Sequence, residues 1–548
     1  MTSPSGPAGR TAADGAMEQG SAMEQASPPL AADGAELART APVSASSDPA
    51  VEAGQRRYER GPLWAVVLPP VAALVAFLWG VTTPSFWRDE SATISAVQRP
   101  YPDLLSMLGH VDAVHGLYYS IMWPLVHLFG PTEFVLRLPS VLAGAVTAAV
   151  LAAVGRRLIS PWAGLAAGLG YVLLPVTSRY AQEGRPYGMV IMLATISTYL
   201  LVRLVQAAPE DKRRWLIRYG VGLTVLGIMN IFGLLMIPAH AITLAVHYRR
   251  RLRDPQVRRL ALGWLLTAVV AVAVASPILV FAWKEQAQIA WLAVNTSSSG
   301  PMTVVTLPGS VLVSAAAVVV VAIALVLSLD ATRDRRRAAW PAMLAEVSLP
   351  WLIGPPAILF AASVVKPVYT SRYILMCIPA LALIIGAAVA ALGKYIGPIA
   401  AVIILLAGIS TQTVVRMPYG HYDNIRALDH IVAARQRPGD VVLYANPNAE
   451  TFGAAYSYGL GTLPNIELKR GKIPSGTLAG TSVSLPVLRS RLRQVSRVWL
   501  VEINKYVAQP QILGLNGLPE GYAVRGLPLR LVHVWHERGD WLLLYQRV

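Results

Sequence analysis

Residues 133–157 read EFVLRLPSVLAGAVTAAVLAAVGRR, an apolar run closed by the pair Arg156-Arg157. An α-helix needs about 20 apolar residues to cross a bilayer core. The run over about 133–154 has that length, and a basic pair at one end is the signature of a span leaving the membrane on the cytoplasmic side. The pattern repeats in both directions. Arg56, Arg57 and Arg60 precede a run at about 63–82, and runs at about 161–178 and 187–205 lead to Lys212-Arg213-Arg214. Residues 216–247 divide around Met229-Asn230 into two short runs that end on Arg249, Arg250, Arg251 and Arg253. Runs at about 260–282 and 308–329 lead to Arg333, Arg335, Arg336 and Arg337, and three more follow at about 347–364, 373–392 and 396–414. With about eleven spans, every basic cluster falls on one side. Gly116–Gly130 is apolar but too short, and counting it would reverse the later clusters, so it is expected to lie in the interface.

Composition agrees. Of 548 residues 54% are hydrophobic and 14% charged, with mean hydropathy +0.49, far from a soluble domain. The net charge of +17 would suggest nucleic acid in a soluble chain, but here it sits in short clusters between apolar runs, so no nucleic-acid partner is expected. The single cysteine, Cys377, lies in an apolar run and rules out a disulfide framework or a cysteine metal site. Residues 1–60, rich in Ala, Ser, Gly and Pro, are expected to be a disordered cytoplasmic tail without a cleaved signal. Residues 61–415 form the membrane part. Residues 416–548 change composition, with a helical pattern at Asp423–Arg435 and strand patterns at Val441–Tyr444, Val498–Val501 and Trp541–Tyr545. They are expected to form an extracytoplasmic α/β domain. The whole is thus an α-helical polytopic protein of the cell membrane with a C-terminal α/β domain.

Three polar clusters fall on the expected outer face: Phe86-Trp87-Arg88-Asp89-Glu90, followed by His110, Asp112 and His115; Ser178 to Tyr187; and Lys366 to Tyr373. Aromatic and basic residues at a span end are ordinary interfacial anchors, and acids beside Arg can be surface pairs. Acids at the mouth of a helix bundle, however, are costly unless used or paired. Asp89 and Glu90 can take a proton from a hydroxyl, while Arg185, Lys366 and Arg372 can hold a phosphate. A base opposite a phosphate clamp suits group transfer from a phosphate-activated donor. Nucleotide donors are cytoplasmic, and neither GxxxxGK[ST] nor GxGxxG occurs. A lipid-borne phosphate is the donor expected on this side.

At these residues the chain resembles the family 39-type glycosyltransferases of the GT-C superfamily, which include protein O-mannosyltransferases, the lipid A aminoarabinose transferase and bacterial cell-envelope transferases. The resemblance is carried by Trp87-Arg88-Asp89-Glu90, Asp112-x-x-His115-Gly-Leu-Tyr118-Tyr119, Glu133-x-x-x-Arg137-Leu-Pro139-Ser140, Gln182-Glu183-x-Arg185-x-Tyr187 and Tyr369-x-x-Arg372-Tyr373. It covers about residues 60–415. It implies an inverting transfer of mannose or a related sugar from a polyprenyl monophosphate to a glycolipid, polysaccharide or protein acceptor, without metal or cofactor. Asp89 matches the first-loop acid, the base, with Glu90 as helper or as partner of Arg88. Arg185, Lys366, Tyr369 and Arg372 are expected at the donor phosphate. Arg88, Asp112, His115, Gln182, Glu183 and Tyr187 are expected to bind substrate. The second cluster departs from the Asp-containing loop of the aminoarabinose transferase, which leaves sugar and acceptor open. The alternative function is a non-catalytic transporter or flippase of lipid-linked sugar, although charged midspan residues and a clear internal repeat are lacking.

The orientation is checked by cysteine labelling. A cysteine replacing Asp334 should react only in permeabilised cells and one replacing Asn448 in intact cells; the reverse pattern overturns the orientation.

Overall fold

The computed structural model describes residues 62–285, 306–330, 342–445, 449–503, 524, 526–538 and 540–548. The expected N-terminal tail and the Arg333–Arg337 cluster lie outside the described residues.

The first helix, α1 (Trp64–Leu78), leads to three short ones, α2 (Arg88–Val97), α3 (Tyr101–Leu108) and α4 (Gly116–Phe129). The bundle continues with α5 (Glu133–Leu158), α6 (Pro161–Leu173), the short α7 (Pro175–Ala181), α8 (Tyr187–Gln206), α9 (Lys212–Met229) and α10 (Met236–His247). It closes with α11 (Pro255–Lys284), α12 (Val311–Asp330), α13 (Ala342–Val365), α14 (Ile378–Ala391) and α15 (Gly393–Val415). Every expected span coincides with a helix. Among the described residues seven helical segments are long and apolar enough to cross a membrane. The other four expected spans fall on α1, α6, α9 and the segment Ile231–His247, which are shorter or more charged. The chain is a polytopic membrane protein.

Local chemistry fixes the helix starts. The Thr132 side chain accepts from the Val135 N–H at the head of α5. Ser160 and Asp254 cap α6 and α11 in the same way, each followed by a proline at the first helical position, where its missing N–H costs nothing. Packing then sorts the helices. α5, α8 and the segment Ser371–Ala391 are mostly buried, whereas α11, α12 and α15 leave most of their apolar surface outward, for example Leu262, Leu266, Val318 and Ile399. Apolar belts of that extent belong against lipid tails.

Between helices that gain nothing from leaving water, close backbone approach supplies the contact. α6 packs against α5, α14 and α1. A Cβ on Gly164 would lie 2.3 Å from the Ala152 carbonyl oxygen, and one on Gly386 would lie 2.3 Å from the Ala167 nitrogen. Both atoms are backbone, so neither can yield without parting the helices.

After α15 the chain forms α16 (Ile425–Arg435) and β1 (Val441–Tyr444), then β2 (Leu468–Arg470), β3 (Thr481–Ser482), β4 (Arg497–Ile503), β5 (Leu529–Glu537) and β6 (Asp540–Arg547). The main sheet has the order β1-β4-β6-β5, with β1 parallel to β4 and the other pairs antiparallel. Strand alternation divides it between two cores. Val442, Tyr444, Trp499, Val501, Leu542 and Leu544 join the core that includes the helix bundle. Leu443, Val498, Leu500 and Leu543 face a second core with Leu488 and Leu492.

Gly386→Ala should lower the apparent melting temperature in detergent, since overpacking a tight contact costs about 1–3 kcal/mol. Gly170→Ala, whose added Cβ would meet nothing nearer than 4.0 Å, should not. Equal melting of both variants and wild type would contradict this packing.

Candidate active site

The site is assembled by three connections at one end of the bundle: residues 79–132 after α1, residues 182–186 before α8, and residues 366–377 after α13. All three polar clusters of the sequence meet here.

Its anchor is Glu90, on the first turn of α2 and fully buried. Arg137, one turn into α5 and equally buried, donates Nε and Nη2 to the Glu90 carboxylate at 2.9 and 2.8 Å. The remaining Arg137 protons go to the carbonyls of Val81, Pro84 and Ser85 at 2.7 to 3.0 Å. Glu90 also accepts the Gly184 N–H at 2.8 Å. One ion pair thereby joins the first connection, α5 and the second connection. The expected pairing of Glu90 with Arg88 does not form. Arg88 donates Nε and Nη2 to Asp423 at 3.0 and 2.6 Å, and its backbone N–H goes to the same carboxylate, because Asp423 is buried against the start of α2 while Glu90 turns inward to Arg137.

Asp89, one residue earlier on the helix, points a different way. Its carboxylate accepts from Arg372 Nη1 at 2.6 Å, and both side chains keep a fifth to a quarter of their surface exposed. Burial alone would raise the Asp89 carboxyl. Arg372, Arg185 and Arg88 outweigh it and hold the group below the usual carboxylate range.

Arg185 is buried beside this pair. It donates to His115 Nε2 at 2.7 Å, to the Tyr119 hydroxyl at 3.2 Å, to Thr93 at 3.3 Å and to the Asp89 carbonyl at 3.4 Å. His115 must therefore present an unprotonated Nε2. Burial, helped by Arg185, lowers its pKa to about 3, so the ring is neutral with its proton on Nδ1. The Tyr119 hydroxyl donates onward to Asp112 at 2.7 Å, whose left-handed backbone (φ 59°) turns the chain into the helix that carries His115.

Glu183 is buried behind Asp89 and faces Arg179 at 3.3 Å without hydrogen-bond geometry. Burial pushes its pKa up to about 7; Arg179 opposes the shift, and Glu90 and Asp89 add to it. Arg179 itself lies over the rings of Trp87, Tyr422 and Tyr180, 5.2 to 5.5 Å from their centroids, and Arg372 lies 5.7 Å from the Trp87 centroid.

Other expected residues take supporting positions. Gln182 donates its amide protons to the carbonyls of Phe77 and Trp79, both at 2.8 Å, tying down the end of α1. Tyr187 is buried edge-on to Tyr180 at 5.7 Å. Tyr369 is buried and stacks on Phe360 at 4.2 Å. Lys366 is exposed just past α13, and the cations that lower the Asp89 carboxyl most are Arg372, Arg185 and Arg88. Sequence reasoning placed Arg179 in the second cluster without a role of its own and missed Thr93; it also missed Asp423 and the buried His421 beyond the last span, since nothing local ties that segment to the first connection. Among the described residues no group of three or more His, Cys, Asp or Glu gathers to hold a metal ion.

A family model described as dolichyl-phosphate-mannose-protein mannosyltransferase matches residues 117–283. The crystal structure of ArnT from Cupriavidus metallidurans in the apo state superposes with TM-score 0.56 at 14% identity, covering 87% of this chain and 97% of that one. The same protein bound to undecaprenyl phosphate gives TM-score 0.55 at 13% identity, with 87% and 97% covered. The chain has the GT-C fold. No curated protein matches the sequence. Within this GT-C fold, the polar clusters of the first, second and late connections converge on Asp89, Arg185 and Arg372.

The raised Glu183 pKa has a consequence for stability. Its folded value of about 7 exceeds the ordinary 4.5, so folding binds a proton between those values. Its contribution is most favourable below the unfolded pKa and declines as pH rises to the folded one. Melting curves of Glu183→Gln should lack that decline; a difference from wild type that is constant with pH would contradict it.

Proposed function

We propose that the chain transfers a sugar from a polyprenyl-monophosphate donor to a hydroxyl of a cell-envelope acceptor, with inversion at the anomeric carbon. The observation that carries the reading is the Asp89–Arg372 pair beside the buried Arg185. A carboxylate and two guanidiniums, partly open to the outside, hold what a base and a phosphate clamp require. Buried polar atoms around them also lack hydrogen-bond partners among the described residues: His115 Nδ1, Arg185 Nε and both Glu183 oxygens. Such groups are costly and call for a polar ligand. The undecaprenyl phosphate named in the ArnT structure supports a lipid phosphate as that ligand. The site lies on the extracytoplasmic face, with the N-terminus and the Arg-rich connections inside and residues 416–548 as an outer domain.

The electrostatics suggest an order of events. In the absence of donor Arg372 holds the Asp89 carboxylate, a weak base while so paired. The singly charged phosphodiester of the donor competes for Arg372, and Arg185 stabilises it from the other side. Asp89 then loses its partner, its pKa rises, and it can accept the acceptor hydroxyl proton. The acceptor oxygen bonds to the anomeric carbon as the bond from that carbon to the phosphate oxygen breaks. The transition state has oxocarbenium character. Polyprenyl phosphate leaves with the bonding pair and needs no protein acid. Glu90, spent on Arg137, positions Asp89 and does not touch the reacting atoms; Glu183, whose pKa of about 7 leaves it about half protonated at neutrality, is the next candidate for proton transfer. Mannose or a related sugar is the cargo we expect, and a protein, glycolipid or polysaccharide the acceptor.

Purified protein supplied with polyprenyl-phosphate sugar tests the reading. Asp89→Asn should lower turnover by about 10²–10⁴-fold while donor binding persists. Arg372→Ala should weaken donor binding by roughly one to two decades, the equivalent of ~1.5–3 kcal/mol, and Arg372→Lys should recover only part. Lipid flipping without transfer in the wild type would favour the transporter instead.

A further inference from the structure

The break at Met229-Asn230 makes a hairpin of two helices. α9 rises through 18 residues, about 27 Å of helix, and stops where the Asn230 backbone turns extended (φ −160°, ψ 126°). The Asn230 side chain accepts the Phe232 N–H at 2.9 Å and starts a 3₁₀ turn, Ile231–Leu235, from which α10 returns. The turn is tight: a Cβ on Gly233 would lie 2.7 Å from the Leu226 side chain and 3.0 Å from its carbonyl oxygen. It packs against α9, α10, α11 and α13, which gives Phe232 a fixed base.

Phe232 faces the connection that carries Arg372. Its ring stacks on Tyr373, with centroids 3.9 Å apart and planes 19° from parallel. Tyr369, on the other side of Arg372, stacks on Phe360 of α13 at 4.2 Å, and Trp351 of α13 donates to the Met376 carbonyl at 2.7 Å. The backbone among these contacts needs bracing. Ser371–Cys377 is a 3₁₀ segment of seven residues, and such runs beyond three or four residues are uncommon because their hydrogen-bond geometry is poor. Phe360 and Trp351 brace it from α13, and Phe232 braces it from the hairpin.

We propose that Phe232 is a positioning residue for donor binding: stacked on Tyr373, it holds the backbone that presents Arg372 to the donor phosphate. This rests on the reading of Arg372 as a ligand of that phosphate. In this role Phe232 touches neither sugar nor phosphate, and it acts on the backbone of Arg372, independently of what the guanidinium contacts. An aromatic pair stabilises through its geometry as well as its buried area, so a ring is required at position 232 and apolar bulk is not enough.

Binding of undecaprenyl phosphate to the full chain in detergent, with a melting curve for each variant, tests it. Phe232→Leu, which keeps apolar bulk, should weaken binding by about three- to tenfold, the equivalent of one aromatic pair, in a protein that stays folded. Phe232→Tyr, which keeps the ring, should bind as the wild type does. In an Arg372→Ala background Phe232→Leu should make no further difference, as expected of a residue that acts through Arg372. Should the leucine variant not fold, Phe232→Ile serves in its place with the same expectation. An equal further loss in the Arg372→Ala background would mark general loosening of the bundle and overturn the proposal. If Arg372→Ala weakens binding and the leucine variant does not, the proposal falls and the donor reading stands; if Arg372→Ala has no effect either, both fall.

Discussion

The buried pair of Glu90 and Arg137 sets the position of everything that faces the opening. Two charges at full burial are expensive, and such a pair persists only when each remaining lone pair and proton is met. Here all the Arg137 N–H groups are met by Glu90 and three carbonyls, and the Glu90 carboxylate takes the Gly184 N–H as well. Removing one partner of such a pair typically costs ~3–5 kcal/mol. The return is geometric. Neighbouring residues on a helix project about 100° apart, so fixing Glu90 inward turns Asp89 toward Arg372, and holding Gly184 places Arg185 beside both.

A second layer of contacts comes from beyond the last span. Asp423 takes Arg88, and Glu133 at the head of α5 accepts both Arg426 and the Tyr456 hydroxyl at 2.6 Å. Arg99 reaches the Thr477 carbonyl at 2.7 Å, and the Ser85 N–H reaches that of Pro418 at 2.7 Å. The first connection is thus gripped from the membrane side by Arg137 and from the C-terminal side by Asp423 and Tyr456. A strand-rich region with its own small core does more than decorate the bundle: it restrains the loop that carries the carboxylate.

Much of this was legible in the sequence because the bilayer imposes length and charge rules on helices. The run ending at Arg156-Arg157 and its repeats placed helices at all eleven expected spans, and the strand patterns at Val441, Val498 and Trp541 meet β1, β4 and β6. The convergence of Asp89, Arg185 and Arg372 followed from their sharing one face. What could not be read was pairing. Arg88 lies two residues from Glu90 and 335 from Asp423, yet it joins the distant acid, because burial and helix phase decide partners and proximity in sequence does not. His421 escaped notice for the same reason, and Arg179, though part of the second cluster, was given no role of its own.

The account turns on whether a lipid phosphate takes Arg372 from Asp89. A structure of the chain bound to undecaprenyl phosphate measures this directly. The phosphate should lie between Arg185 and Arg372, with the 2.6 Å Asp89–Arg372 contact opened. A phosphate bound elsewhere, with that contact intact, would contradict it.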